Sequence, residues 1–212
     1  MKGYFITIEG PDGAGKTTQL KMLRDYLLGK GYEVILTREP GGTPLAEKIR
    51  NLLLDPASGE ICPVAEALLY AASRAQHVAE VILPSLQQGK IVLCDRFVDS
   101  SIVYQGLGRG IEPQAIIDIN HFATQGITPD LTILLDLTPE QGMARLAKRN
   151  KEKSQELDRL EQESLEFYHK VRQGYLDLAK TSPERYKVIE ADDSIENIQQ
   201  RIVALIDKYF TI

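Results

Sequence analysis

Gly10-Pro11-Asp12-Gly13-Ala14-Gly15-Lys16-Thr17-Thr18 fits the pattern G-x-x-x-x-G-K-[ST]. At this chain's own Gly, Lys and Ser/Thr frequencies about 0.007 chance matches are expected, so the run carries information. Its chemistry is phosphate capture. Glycines let the backbone wrap an anion, the N–H groups point inward, and the helix that follows adds its positive end. Lys16 would bridge the β- and γ-phosphates and Thr17 would ligate Mg²⁺. A dinucleotide site needs G-x-G-x-x-G, and glycines at 10, 13 and 15 do not supply that spacing. The guanine signature N-K-x-D is absent, since Asn150-Lys151 is followed by Glu152-Lys153.

A second cluster follows an apolar run: Cys94-Asp95-Arg96-Phe97-Val98-Asp99-Ser100-Ser101-Ile102-Val103-Tyr104-Gln105-Gly106. An Asp at a strand end can hold Mg²⁺ or orient the neighbouring arginine, and the Arg96 fork suits a phosphate. Cys94 reads as core. Tyr70 and Arg74 stand at i and i+4, on one face of a helical pattern. Such a pair can stack a base and hold its phosphate, although a solvated cation–π contact is the plainer reading. His77 reads as structural. Arg38-Glu39-Pro40-Gly41-Gly42-Thr43 reads as a tight turn with Thr43 as a helix N-cap.

These residues need elements to carry them. Short apolar runs at Tyr4–Ile8, Glu33–Thr37, Lys90–Cys94, Leu131–Asp136 and Lys187–Ile189 read as strands. Helical patterns lie at Lys16–Leu28, Thr43–Leu54, Pro63–Leu83, Pro113–Phe122, Pro139–Arg149, Leu157–Lys180 and Ser194–Tyr209. Pro63, Pro113 and Pro139 fall at the first turn of their helices, where proline costs nothing. The alternation predicts one α/β domain, a parallel sheet with helices on both faces. Ligands in such sheets sit beyond the carboxyl ends of the strands, where both clusters fall.

With 212 residues and no divided composition, a single domain over 1–212 is expected. Net charge of −5 argues against nucleic-acid backbone binding but leaves room for small anions. The longest apolar stretches are far too short to cross a membrane, and Met1-Lys2-Gly3 runs into a strand pattern without a signal core. Two cysteines, Cys62 and Cys94, make neither a disulfide scaffold nor a zinc site, which fits a reducing cytoplasm.

Taken together, the Gly10–Thr18 loop, Thr37–Thr43, Tyr70–His77, Asp95-Arg96-Phe97 through Tyr104-Gln105-Gly106, and Asp158-Arg159-Leu160-Glu161 resemble the bacterial thymidylate kinases in order and spacing. The resemblance covers essentially the whole chain. It implies the nucleoside monophosphate kinase version of the phosphate-loop (P-loop NTPase) fold with a five-stranded parallel sheet, and the reaction of Mg-ATP with dTMP to give dTDP on the way to dTTP for DNA replication. It also implies roles. Asp12 matches the acidic residue at the sugar 3′-hydroxyl, Tyr70 the aromatic that stacks on thymine, and Arg74 and Arg96 the phosphate-holding arginines. Ser101 lies near the base, Tyr104 crowds the 2′ position, and Gln105 lines the pocket; Arg38 and Glu39 join the same substrate site.

The phosphate loop carries no arginine, whereas Arg145, Lys148, Arg149, Lys151 and Lys153 cluster beyond Pro139. The resemblance is therefore to the members whose extra transition-state cation lies in the lid, expected around 142–159, with Arg149 the candidate. A homodimer formed through apolar faces of Pro63–Leu83 is the implied assembly.

Overall fold

The run Tyr4–Glu9 (β1) is buried on both faces from Phe5 onward, as an inner strand of a parallel sheet must be. It forms the middle of the sheet. In the computed structural model, which describes residues 3–154 and 156–210, five parallel strands lie in the order β2-β3-β1-β4-β5. The others are Val34–Arg38 (β2), Ile91–Asp95 (β3), Leu131–Asp136 (β4) and Tyr186–Glu190 (β5). Each lies within a residue or two of its expected position. The register aligns Ile8 with Asp95 and Glu9 with Leu134, so β1 and β3 end within a residue of each other and β4 runs two residues further at the same edge.

Helices cover both faces. Lys16–Gly29 (α1) starts from Gly15, whose φ of 90° is left-handed. Pro44–Leu54 (α2) is capped by Thr43, whose side chain accepts from the Ala46 N–H, as its place in the sequence suggests. Pro63–His77 (α3) carries on through a π turn at Val78–Ile82 into Leu83–Gln87 (α4). Val98–Ser101 (α5) leads into a second π segment, Ile102–Gly108, and Pro113–Thr124 (α6) follows. Pro139–Lys153 (α7) is longer than its periodicity suggests. The chain closes with Leu165–Thr181 (α8) and Ile195–Phe210 (α9).

One large apolar cluster joins β1, β3 and β4 to α1 and α9, through Ile6, Ile8, Leu20, Leu23, Leu27, Ile133, Ile202 and Ile206. On the other face Val103, Tyr104 and Leu134 pack on Phe167, Val171 and Tyr175 of α8. The expected helix over Leu157–Lys180 starts only at Leu165, because the Asp158 carboxylate accepts from the N–H groups of Leu160 and Glu161 and bends the chain. Ser164 then caps α8 by accepting from Phe167 N–H. The helix spanning Val98–Gly108 is absent from the periodicity reading. Packing makes it: a Cβ on Gly108 would lie 2.6 Å from the Phe167 ring and one on Gly174 2.5 Å from Leu107, so the glycines let this segment lie directly on α8.

Candidate active site

The loop between β1 and α1 opens beyond the sheet's carboxyl edge. Gly10, Gly13 and Gly15 all have positive φ, the conformation that a phosphate-wrapping loop needs. Lys16 is buried and donates back to the carbonyls of Gly10 (3.0 Å) and Pro11 (2.8 Å). Burial first, then Arg96, pushes its ammonium down to about 8, against Asp12, Asp95 and Glu9. Thr17 donates to Asp95 Oδ2 at 2.6 Å, so the two oxygens singled out for a metal adjoin each other. Gly15, Lys16, Thr17, Thr18, Arg38 and Asp95 all border one open phosphate-side cleft.

Arg96 stands where this cleft meets a second cavity. It is a non-glycine residue at φ 71°, fixed by its N–H donating to Ile8 O. Its Nη2 donates to Asp12 Oδ1 at 2.6 Å and to the Tyr104 hydroxyl at 3.2 Å. Burial alone would raise the Asp12 carboxyl, but Arg96 and Lys16 overcome it and hold it down to about 2. Asp12 is therefore a fixed negative charge between the two compartments.

The second cavity is lined by every other pocket residue expected from the sequence: Glu39, Tyr70, Arg74, Ser101, Tyr104 and Gln105. Tyr70 sits on Ile49 and Leu53 of α2, and burial pushes its phenol well up. Gln105 donates its amide to Glu66 Oε1 at 3.0 Å.

Arg74 departs from the expected solvated pair with Tyr70. It is 2% exposed and lies over the Phe97 ring, 5.4 Å from the centroid. Its Nε donates to Glu39 Oε2 at 2.7 Å, Nη1 to Ser101 Oγ and Asn120 Oδ1, and Nη2 to Phe97 O. Among the described residues these bonds occupy four of its five N–H groups. One Nη2 hydrogen is left for a ligand. Arg74 can thus add one hydrogen bond, a phosphate oxygen or a base carbonyl. Arg96 likewise donates four of its hydrogens among the described residues and keeps Nε–H, so it takes a phosphate in bidentate fashion only by releasing Asp12 or Tyr104 from Nη2. Glu39 is fixed on its other oxygen by His77 Nδ1 (2.9 Å), and His77 meets Thr37, so His77 is a buried strut as expected. Arg38 reaches the rim of the cleft, where it donates to both oxygens of Glu47.

Of the five lid cations, Arg145 and Arg149 face the cleft; Lys148 and Lys151 point to solvent, and the Lys153 side chain lies outside the described residues. Arg149 pairs with Glu161 and Arg145 donates to Ala191 O at 3.0 Å, so both are held at the cleft wall.

Arg50, Glu9 and Glu66 escaped the sequence reading, whereas Asp158 lies in a run that it singled out. Arg50 and Asp158 border both compartments. Glu9 is buried beneath Arg96, and Glu66 binds Gln105, Arg109 and Arg159 together. Arg50 reads locally as an ordinary exposed helix charge, and only tertiary packing turns it inward. Asp158 and Arg159 carried a signal, the run Asp158-Arg159-Leu160-Glu161. No helix among the described residues is long and apolar enough to cross a membrane.

A model of the thymidylate kinase family matches residues 8–202. The chain is 51% identical over 209 residues to the thymidylate kinase of Thermoanaerobacter sp. (strain X514), covering 99% of this chain and all of that one. With the thymidylate kinase of Pelotomaculum thermopropionicum identity is 53% over 191 residues, covering 90% and 87% of the two chains. The crystal structure of thymidylate kinase from Ehrlichia chaffeensis superposes with a TM-score of 0.78 at 36% identity, covering 98% and 99%. With a phosphate loop opening onto an arginine-lined nucleotide cavity, and similarity of this extent from end to end, the chain belongs to the thymidylate kinase family.

Proposed function

We propose that the chain carries out its family's reaction at the junction of the two compartments, passing the γ-phosphoryl group of ATP in line to the phosphate of dTMP to give ADP and dTDP, a step toward dTTP for DNA replication. The observation that carries the reading is the sharing of Asp12 and Arg96 by the phosphate-side cleft and the cavity lined by Tyr70, Arg74 and Gln105. A donor in one and an acceptor in the other would meet there. No general base is required, because the acceptor phosphate is already an ionised nucleophile. Catalysis is then positioning and charge neutralisation.

Each side chain has a stated part. The Gly10–Thr18 backbone cradles the β- and γ-phosphates and Lys16 turns from its loop carbonyls toward them. Arg96 binds the dTMP phosphate. Arg149, with Arg145 beside it, brings positive charge to the transferring group from α7. The Asp12 carboxylate accepts a hydrogen bond from the sugar 3′-hydroxyl, Tyr70 stacks on the base, Ser101, Gln105 and the spare Arg74 N–H face its edge, and Tyr104 fills the space a 2′-hydroxyl would need. Thr17 and Asp95 form a hard-oxygen donor pair that fits Mg²⁺, which when bound with ATP neutralises the β- and γ-oxygens. The segment 142–159 acts as a lid whose closure excludes water, since an open site would hydrolyse ATP.

Two further readings belong to this assignment. The enzyme is cytoplasmic, in keeping with two unpaired cysteines. It is a homodimer, supported by Val64 and Leu68, one turn apart and 58% and 50% exposed on α3, and by Phe122, 88% exposed on α6, a helix that packs on α3. A monomeric mass by light scattering would contradict the dimer. The reaction is tested by ADP release from Mg-ATP against dTMP, dUMP, dCMP, dGMP, AMP, UMP and thymidine. Strong turnover with dTMP and weaker turnover with dUMP is expected. Equal or better turnover with another acceptor would move the substrate, and none with any acceptor would overturn the kinase reading.

A further inference from the structure

Glu9, the last residue of β1, is fully buried and takes no direct part in the chemistry above. Its Oε1 accepts from the Phe97 N–H at 2.7 Å. Its Oε2 accepts from two hydroxyls, Ser100 Oγ at 2.7 Å and Tyr175 OH at 3.0 Å. Both hydroxyl oxygens in turn accept from Arg96 Nη1, at 3.2 and 3.0 Å. Nothing else among the described residues binds Nη1. We propose that Glu9 is a positioning residue for Arg96, acting through the Ser100 and Tyr175 hydroxyls to fix Nη1 and so present the Nε–Nη2 edge to the acceptor phosphate.

The proton inventory carries the argument. The Ser100 and Tyr175 hydroxyls also lie 2.7 Å from each other. An ionised Glu9 only accepts, so at least one hydroxyl proton turns to it, the other goes to Glu9 or to the neighbouring hydroxyl, and neither is left to point at the guanidinium. With Nη1 held from behind, the remaining edge is the planar fork that matches a phosphate. A glutamine would invert this arrangement. Its carbonyl oxygen stays with the Phe97 N–H, its NH₂ donates into the hydroxyl lone pairs, and the hydroxyl protons turn against Arg96. The cost of burial fits a dedicated role. Burial first, and Asp99 second, hold the Glu9 carboxyl up at about 7 despite Arg96, Ser100 and Phe97.

This inference rests on the proposed dTMP reaction, so the test reads binding directly. Calorimetric titration with dTMP and, separately, with ATP is applied above pH 7, where the Glu9 carboxyl is ionised, to the parent, Glu9→Gln, Ser100→Ala/Tyr175→Phe, and the combined triple variant. Glu9→Gln should weaken dTMP binding on the order of tenfold while ATP binding stays within about twofold. On the Ser100→Ala/Tyr175→Phe background the same change should have less than about a twofold effect, because the relay is already cut. Unchanged dTMP binding in Glu9→Gln, equal losses for both nucleotides, or a full effect surviving on the relay-less background would each overturn the proposal. If Glu9→Gln does not fold, unchanged dTMP binding in Ser100→Ala/Tyr175→Phe refutes it alone. A parent that binds no dTMP overturns the proposed reaction itself, and this role with it.

Discussion

Gly142 lies in the first turns of α7, and a Cβ placed there would stand 2.5 Å from the carbonyl oxygen of Asp12. The contact is reciprocal, since a Cβ on Gly13 would meet the Gly142 carbonyl at 2.4 Å. Phosphate loop and lid helix are therefore packed backbone to backbone. In Gly142→Ala ordinary van der Waals separation requires the two to move apart by about 0.9 Å, and neither partner is a flexible side-chain end. Helix propensity alone favours alanine by roughly 1 kcal/mol, whereas overpacking costs about 1–3 kcal/mol. Stability should fall by no more than about 2 kcal/mol, a melting shift of roughly 4–8 °C for a chain of this size. Activity should suffer more, because the displaced backbone holds Asp12 at the proposed phosphoryl-transfer point and α7 carries Arg145 and Arg149. A misplacement near 1 Å is worth on the order of a hundredfold in turnover. Steady-state kinetics with ATP and dTMP, beside thermal melting, measure both quantities. Gly29→Ala is the control, since its Cβ would meet nothing within 4 Å. A Gly142→Ala enzyme that melts higher and turns over dTMP like the parent would refute the backbone-contact argument.

Lys16 is held down to about 8, so the free enzyme loses its charge above that pH, and kcat/KM for ATP should fall about tenfold per pH unit there; a flat profile to pH 10 would contradict it. Glu39→Gln should leave Arg74 buried without its counter-charge, lowering stability by about 3–5 kcal/mol and melting by roughly 6–20 °C. A shift under about 3 °C would show that Arg74 is not dependent on Glu39. Tyr104→Leu should open the 2′ side and narrow the preference for dTMP over UMP by about fivefold or more, and an unaltered ratio would remove Tyr104 from sugar selection. Glu9 faces Asp99, Arg96, Lys16 and Tyr175, and its raised carboxyl keeps a proton that the unfolded chain releases near 4.5, so its stabilising contribution is full below about pH 4.5 and lost as pH rises to about 7. Melting of Glu9→Gln should therefore gain on the parent by up to about 3 kcal/mol between those limits, and a constant difference across the range would refute the assignment of that proton.

The sequence showed most clearly what is built from local signals. Strands β1, β3 and β4 are buried on two sides, so their runs of Ile, Leu and Val announce themselves. The phosphate loop needs glycines at fixed spacing, and Thr43 and the three helix-starting prolines act within one turn. What remained hidden depends on contacts across the chain. The segment Ile102–Gly108 holds two glycines and a π register, both against helical periodicity, yet the fit of Gly108 to Phe167 and of Gly174 to Leu107 makes it helical. Gly142 reads as a poor helix residue until its approach to Asp12 is seen. Glu9 follows four buried strand residues and looks like the polar end of β1; its role comes from Ser100 and Tyr175, 91 and 166 positions away.

The arginines show why residue type alone could not divide the work of the site. Arg74 and Arg96 carry the same group, and from the sequence both could hold a phosphate. Arg74 is neutralised by Glu39, with four of its five hydrogens occupied by Glu39, Ser101, Asn120 and the Phe97 carbonyl. Its free energy of desolvation is met inside the fold, so it behaves as a rigid wall with one projecting donor. Arg96 also has four hydrogens occupied, but they are divided differently between a fixed back and a front that opens on the site. Two hydroxyls hold its back, and Asp12 and Tyr104 hold Nη2, the edge that a phosphate would need. An incoming dianion competes with Asp12 for that edge, and Asp12, once released, is free to accept from the sugar of the same nucleotide. Acceptor binding and the freeing of Asp12 are thus one exchange of hydrogen bonds. Asp12→Asn should weaken the competitor and leave Arg96 more open to inorganic phosphate, while reducing the advantage of dTMP over thymidine-free phosphate ligands. Tighter phosphate binding together with weaker dTMP binding is the expected pair of titrations. Parallel weakening of both would mean that Asp12 supports Arg96 rather than competing for it.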